Sequence, residues 1–345
     1  MAQINKPSDY FNTKLHTGTG AEATITGVGF QPDLVWSKSR SNAESNTLID
    51  GVRGAGNALT TDTTSAEATG ETQMLKSFNS DGFVVGVNGQ WNASSYTYVY
   101  WNWLASNTTA SNTDGSITST VSVNTTSGFS IVKFVGTGSV ATVGHGLGVA
   151  PSFYVVKRID GGDGGQWNCY HKSLGASQYM LLNSTSASQS SATRWNNTEP
   201  TSSVFTVSTS GDVNDPSDNH IAYCFAEKKG FSKFGSYTGN GSTDGPFVYT
   251  GFKPAFVITK GTDSADNWGL LDNKRDGYNL TNKALTPNSS GAEYTTNSPA
   301  SDFVSNGFKI RQSDGVINAS GGSYIYMAFA ESPLVAGNYV PTTAR

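Results

Sequence analysis

The sequence has little cysteine and little charge. Its 345 residues contain two cysteines, Cys169 and Cys224, which are too few for a disulfide framework in a chain of this length. Both lie in apolar, strand-like segments, so we expect them to be small buried core residues. Charged residues make up 14% of the chain and the net charge is −4, which excludes the strongly basic surface of a nucleic-acid-binding protein.

Long hydrophobic segments are also missing from the sequence. No run approaches the ~18 apolar residues of a membrane-spanning helix. The opening residues 1–7 are not followed by the apolar core of a secretory signal. We therefore expect a soluble chain that is made in the cytoplasm, wherever it finally acts.

Residues that carry common catalytic chemistry are sparse. The four histidines form no pair with the spacing of zinc ligands, and neither a nucleophile elbow nor a phosphate-binding loop is present. Acids recur at two matching positions, Glu227 with Glu331 and Asp50 with Asp272, and glycan hydrolases use such carboxylate pairs. Acids that recur with a repeat are more simply explained as hydrogen-bonding residues at turns and strand ends. We therefore predict no enzyme activity, no catalytic residue, no cofactor and no metal site.

Glycine and aromatic residues are abundant, and together they indicate a β-protein with many turns. The chain has 39 glycines, and aromatic residues make up 11% of it. This composition excludes a disordered chain and a helical bundle. Polar and apolar residues alternate over 117–123, as is typical of an amphipathic strand, whereas no segment has a convincing helical period.

One plan recurs three times along the chain. Each copy opens with a Gly-x-Gly turn, continues through a Gly-x-x-Pro turn into a β-branched or aromatic strand, and closes on another aromatic strand. These anchors begin at Gly18, Gly136 and Gly239, at Pro32, Pro151 and Pro254, and at Tyr98, His220 and Tyr324. Their offsets are nearly constant from copy to copy. The pattern therefore predicts an internal triplication with modules at 1–106, 107–230 and 231–345.

The short strands of each module predict an all-β fold of three tandem β-sandwiches, with a jelly-roll arrangement as one form. Successive side chains of a strand point to opposite sides of the sheet. One face of the closing strand is bulky in every copy, as in Val99, Trp101 and Trp103, whereas the other face is mostly small in the later copies. We expect this strand to be central in its sheet, covered on both faces, with its large aromatic side chains filling the core.

One tryptophan outside the repeated strands is a candidate for ligand contact. Trp195 lies in a polar stretch, between Arg194 and Asn196, that has no counterpart in the other copies. An exposed indole beside polar side chains offers a sugar or a protein an apolar face with hydrogen-bonding neighbours. We therefore predict binding residues at Arg194, Trp195 and Asn196.

The loops of the modules differ while the strands agree. Residues 161–165 differ from the matching 262–267, and 184–197 differ from 286–297. Loops on a rigid scaffold are the usual place for binding specificity. We expect at least one module to use such loops for contacts with a partner.

Five segments together carry a resemblance to known proteins. They are Ile4–Phe11, Ser111–Val121, Gly144–Pro151, Phe231–Gly241 and Tyr249–Val257. These segments resemble repeat proteins that tailed bacteriophages of marine bacteria encode, and the resemblance extends over nearly the whole chain. It implies a virion tail component, such as a tail fibre or receptor-binding protein, that associates as a homotrimer. That family carries no catalytic motif that could be transferred to this sequence.

The resemblance and the divergent loops favour a non-enzymatic virion tail protein that attaches to the host cell surface. Its expected partners are other virion tail proteins and a host surface glycan or protein, without nucleic acid and without membrane insertion. One alternative is a structural virion part, such as a head decoration or tail-attached module, that binds only other virion proteins. A glycan depolymerase is a further alternative.

Overall fold

The computed structural model describes residues 3–160, 165–294 and 299–335. Over these ranges the protein is all-β, which confirms the predicted fold class. The strands form several antiparallel sheets, and the helices are single turns of four residues, besides one 3-10 turn at Pro7–Asp9. The absence of a helical period in the sequence therefore reflects the fold.

The first large sheet and its small partner sheet come from the first hundred residues. The large sheet has the order β1 (Phe11–Thr17), β8 (Thr97–Trp103), β3 (Leu34–Ser39), β4 (Thr47–Asp50) and β5 (Leu59–Thr60). The small sheet has the order β2 (Ala23–Ile25), β7 (Gly82–Val85) and β6 (Leu75–Asn79). The helical turn α1 (Gly89–Asn92) precedes the closing strand β8.

The second large sheet has the most strands, eight. Its order is β16 (Gln189–Ser190), β15 (Gln178–Leu181), β14 (Asn168–His171), β13 (Phe153–Arg158), β18 (Asn219–Phe225), β11 (Phe129–Val135), β10 (Ser119–Asn124) and β9 (Ala110–Asn112). Its small partner pairs β12 (Ala141–Gly144) with β17 (Val204–Val207). Two helical turns belong to this part of the chain, α2 (Ala192–Trp195) and α3 (Gly211–Asn214).

The third large sheet has four strands. Their order is β19 (Ser232–Thr238), β25 (Ser323–Pro333), β21 (Phe252–Gly261) and β22 (Gly269–Asp272). The small partner sheet has the order β20 (Phe247–Tyr249), β24 (Gly307–Ile310) and β23 (Ser301–Val304). The helical turns here are α4 (Asn273–Asp276) and α5 (Gly315–Asn318).

The three large sheets share one order of pairing. An opening strand pairs with the closing strand, which pairs with the strand after the Gly-x-x-Pro turn, and one further strand follows. This order is β1-β8-β3-β4 in the first sheet, β11-β18-β13-β14 in the second and β19-β25-β21-β22 in the third. The closing strand is central each time, as expected. The recurrence supports the triplication, which stays a prediction together with its module boundaries.

Both faces of the closing strand are covered. On its bulky face, Val99, Trp101 and Trp103 belong to one central apolar cluster that takes side chains from all three large sheets. On the opposite face, Tyr98 and Tyr100 pack with the small sheet of the same module in a separate cluster. The second and third modules have equivalent separate clusters. Each large sheet and its small partner sheet, which together we call a module from here on, therefore form two layers, and the three large sheets share a central core.

The centre of that core is a triangle of aromatic rings, one from each closing strand. Trp103, Phe225 and Phe329 occupy equivalent positions and are all buried. Their ring centroids lie 6.3 Å apart for Trp103 and Phe225, and 5.7 Å apart for the other two pairs. All three contacts are edge-to-face, an arrangement that aromatic quadrupoles favour. The predicted core role of these side chains is confirmed, and the three sheets surround one axis.

The three modules close into a ring through matching hydrogen bonds. In each, the residue just before the fourth strand of a large sheet donates a side-chain N–H to a backbone carbonyl of the neighbouring module. The bonds run from Trp167 Nε1 to Thr60 (3.0 Å), from Trp268 Nε1 to Leu181 (3.0 Å), and from Asn46 Nδ2 to Thr286 (3.3 Å). The third bond joins the first module to the last one, which completes the ring.

Buried lysines reinforce the same three interfaces. Lys38, Lys157 and Lys260 are fully buried at equivalent positions of the strands β3, β13 and β21. Each ammonium donates to a carbonyl of the neighbouring module. The acceptors are Ser290 for Lys38 (2.8 Å), Thr64 for Lys157 (3.0 Å) and Thr185 for Lys260 (3.1 Å). Burial lowers the pKa of Lys157 to about 7 and that of Lys38 and Lys260 to about 8.

The Gly-x-Gly turns are held by a buried asparagine at the end of a helical turn. In the second module, Asn214 accepts a hydrogen bond from the Thr137 N–H (2.8 Å) and donates to the Ser139 and Ser208 carbonyls (2.6 and 2.9 Å). Asn92 and Asn318 make the matching contacts in the other modules. A Cβ on Gly136 would lie 2.1 Å from a backbone oxygen, so this turn requires glycine.

We expect Asn214→Ala to lower the free energy of unfolding by about 3 kcal/mol. The substitution leaves the buried Ser208 carbonyl and the part-buried Thr137 N–H and Ser139 carbonyl without this partner, and an orphaned buried group costs about 1–3 kcal/mol. Urea unfolding followed by tryptophan fluorescence measures the change. Gln73→Ala, which removes an exposed amide side chain, is the control. An equal loss in both variants would contradict the assigned role of Asn214.

Candidate functional site

The predicted binding residue Trp195 is buried. The side chain ends the helical turn α2 and has no exposed surface. Its ring lies 4.9 Å from the ring of Tyr154, measured between centroids, in the core of the second module. The expectation of an exposed indole is therefore wrong. The helical turn is too short to give a periodic pattern, so the sequence did not reveal that it directs this side chain inward.

The two neighbours of Trp195 also have structural contacts. Arg194 forms an ion pair with Asp212 (2.9 Å) and stacks over the ring of Tyr179 at 4.7 Å. Asn196 is exposed and ends the helix in the left-handed conformation, with φ of 52°. The three predicted residues thus form no common surface, because the middle one points into the core.

The divergent loops lie partly at the interface of two modules. Ser188 donates its backbone N–H (2.9 Å) and its hydroxyl (2.8 Å) to the carbonyl of Thr262. The two predicted contact loops, 184–197 and 262–267, therefore touch each other. Residues 161–164 and 295–297 of the other two loops lie outside the described residues.

The recurring aspartates form buried ion pairs. Asp50 accepts from Arg53 Nε at 2.5 Å, and Asp272 accepts from Arg275 Nε at 2.6 Å. All four side chains are almost completely buried. Each aspartate also accepts two backbone N–H groups of the following turn, as predicted for acids that recur with a repeat. In addition, Asp50 accepts from the Tyr223 hydroxyl (2.7 Å) across the interface with the second module.

Three clefts open at the same place in the ring, beside the end of each closing strand. The first lies around Asp33 and Asn107 and has a volume of about 110 Å³. The third lies around Lys274 and Glu331 and has a volume of about 90 Å³. The second is much larger, with a volume of about 470 Å³. Position in the repeat alone does not account for this difference.

The large cleft lies between the second and third modules, and we call it the basic groove. Its lining includes Ser152, Lys172, Glu227, Lys228, Lys229, Lys233, Tyr249 and Thr250. Its walls come from the start of β13, the end of β14, the connector between β18 and β19, and the end of β20. Four lysines and one glutamate thus meet in one groove of a chain whose net charge is −4.

Glu227 neutralises two of these lysines. Its carboxylate forms ion pairs with Lys172 at 2.5 Å and with Lys233 at 2.7 Å. Partial burial raises the pKa of Glu227, but the two hydrogen-bonded ammonium groups outweigh burial and hold it below its ordinary value. Glu331, which matches it in the repeat, pairs with Lys253 at 2.7 Å. Both glutamates thus serve as ion-pair partners of neighbouring lysines.

Lys228 and Lys229 differ from the paired lysines. Lys228 is only 8% exposed, and no carboxylate pairs with it among the described residues. Burial lowers its pKa. Lys229 is exposed at the rim of the groove. An anion in the groove would therefore meet two cations that no acid of the described chain neutralises.

Tyr249 adds an aromatic surface to the groove. Its side chain is 59% exposed, at the end of the edge strand β20. The sequence alone did not indicate this exposure, because the apolar residues around Tyr249 do not show that β20 is an edge strand. The signal for the groove was the pair Lys228 and Lys229, which stands where the first module has Ser106 and Asn107.

Fold and site together define an all-β protein with three sheets around one axis and a basic surface groove. The chain belongs to the family described as Domain of unknown function (DUF7483), whose model matches residues 6–333. No curated protein matches the chain. Among the described residues, no helix is long and apolar enough to cross a membrane, and no three His, Cys, Asp or Glu side chains are grouped as a metal site would need.

Proposed function

We propose that the protein is a non-enzymatic attachment protein that binds a cell-surface glycan in the basic groove. The observation that carries the proposal is the basic groove. The equivalent clefts of the first and third modules have small volumes, whereas the groove is several times larger and is lined by lysines and a tyrosine. Carbohydrate sites combine an aromatic face with polar groups, and Tyr249 beside lysines and Ser152 provides this combination.

The sequence resemblance to repeat proteins of marine phages supplies the biological setting of this proposal. In that setting the protein is a virion tail component, its partners are other tail proteins, and the glycan belongs to the host surface. The proposal that the protein forms a homotrimer rests on the resemblance alone. Within one chain, the three large sheets already cover one another's bulky faces in the central core.

The test is binding of the purified protein to arrayed lipopolysaccharides and capsular polysaccharides of marine bacteria. The double variant Lys229→Ser/Tyr249→Ser removes one charge and the aromatic face from the groove, and we expect at least a tenfold loss of binding. The matched control is Lys274→Ser/Tyr278→Ser, which changes the same residue types where Tyr278 is 85% exposed outside the groove.

The control variant should bind like the unchanged protein. If the unchanged protein binds no polysaccharide of the array and no bacterial cells, the attachment function is wrong, and a structural role among virion proteins replaces it. If both double variants lose binding equally, the glycan site lies outside the groove.

A further inference from the structure

The charge of the groove is not balanced. Glu227 is shared between Lys172 and Lys233, so its single negative charge offsets part of theirs. Lys228 and Lys229 have no acidic partner among the described residues. The lining thus carries an excess of positive charge on a protein that is acidic overall. A groove with this excess attracts anions, most strongly at low salt.

Lys228 is the informative residue. The side chain is largely buried, but its ammonium group lines the groove and has no carboxylate partner among the described residues. Burial also lowers its pKa, and no neighbouring charge raises it. Its aliphatic stem passes over Gly128, where a Cβ would lie 2.8 Å from the Lys228 Cε atom. The chain therefore packs closely around the stem of Lys228, but no described carboxylate neutralises its positive charge.

The equivalent clefts differ at the residue after the Gly-x-x-Pro proline. It is Asp33 in the first module, Ser152 in the second and Ala255 in the third. Asp33 accepts the backbone N–H groups of Ala105 (2.7 Å) and Asn107 (3.0 Å), which belong to the connector after the closing strand. In the second module the aspartate is absent, and the matching connector carries Lys228 and Lys229.

Resting on the proposed attachment function, we infer that the ligand of the basic groove is an acidic glycan whose carboxylate or phosphate group binds at Lys228 and Lys229. A sugar ring bearing this group would lie against Tyr249, which lines the same groove. The anion supplies the counter-charge that the described chain lacks. Glu227 keeps Lys172 and Lys233 partly neutral, which limits the affinity for anions in general.

The experiment compares one bound polysaccharide in matched chemical forms. The probe is an acidic capsular polysaccharide that binds in the array, before and after carboxyl reduction, and before and after removal of phosphate. We expect the form without its anionic group to bind at least tenfold more weakly. The form that loses affinity identifies carboxylate or phosphate as the recognised group. The affinity of the acidic form should also fall steeply as salt is raised.

Two substitutions test the residues. Lys228→Met keeps the stem over Gly128 and removes the charge, so we expect about tenfold weaker binding of the acidic form and little change for the neutral form. Glu227→Gln frees two lysines and should strengthen binding of the acidic form severalfold. Lys253→Met, which removes the partner of Glu331 outside the groove, should change neither. Thermal unfolding of each variant confirms that it is folded.

The outcomes separate this inference from the function on which it rests. If the neutral and acidic forms bind equally well and Lys228→Met binds normally, the anionic ligand is wrong while glycan attachment stands. If no form binds, the attachment function itself fails. If Lys228→Met weakens both forms equally while remaining folded, the lysine shapes the groove without recognising an anion, which also overturns the inference.

Discussion

Asp272→Ala is expected to lower the free energy of unfolding by about 3–5 kcal/mol, the cost of breaking a buried ion pair. The substitution removes the 2.6 Å partner of Arg275, which has no exposed side-chain surface, and leaves it only the longer ion pair with Glu293 (3.2 Å). It also removes the acceptor of the Trp101 Nε1–H (3.1 Å) at the interface of the third module with the first. Urea unfolding at neutral pH measures the loss.

Two controls define this prediction. Lys76→Ala removes an exposed partner of Glu22 and should cost less than about 1 kcal/mol. The double variant Asp272→Ala/Arg275→Met removes both charges and should be more stable than Asp272→Ala alone. A double variant as unstable as the single one would show that the charge of Arg275 is not the cause of the loss.

The second large effect is a rise in stability with pH between about 7 and 9. Lys157 has a pKa of about 7 in the folded chain, against 10.5 when it is unfolded. Over this window the folded state loses the proton while the unfolded state keeps it, so the free energy of unfolding rises with pH. Lys157 contributes about 2 kcal/mol to this rise, because one pKa unit corresponds to about 1.4 kcal/mol. Lys38 and Lys260 act in the same direction.

Unfolding in urea at pH 7 and pH 9 tests the lysines. The unchanged protein should be more stable at pH 9, and Lys157→Met should show a smaller difference between the two values. Lys76→Met, at a partly exposed lysine, should keep the full difference. A Lys157→Met variant with the same pH dependence as the unchanged protein would contradict a depressed pKa at this site.

The sequence predicted the strands and their burial because both depend on local pattern. The alternation in the closing strand showed that Trp101 and Trp103 face one layer and Tyr98 and Tyr100 another, and the structure confirms both layers. It did not reveal that the bulky faces of three sheets meet. A strand pattern records that a face is covered but carries no information about which distant element covers it.

Site prediction failed where a side chain's exposure was inferred from its neighbours. Trp195 stands among polar residues, yet a single helical turn places it on Tyr154. Tyr249 stands in an apolar phrase, yet it is exposed because β20 is an edge strand. Lys228 and Lys229 follow a buried strand and became visible as a site only when the position of Glu227 and of its ion pairs was known.

The closure of the ring has a consequence for synthesis of the chain. Bonds between the first and last modules join distant residues, such as Asn46 with Thr286, 240 positions apart, and Arg40 with Glu293, 253 positions apart. During translation, the first module therefore emerges long before the third module, which covers part of its bulky face. Until the third module has left the ribosome, that part of the first module's apolar surface stays open to other nascent chains. Slow translation or high expression would thus favour aggregation of unfinished chains over that of completed ones.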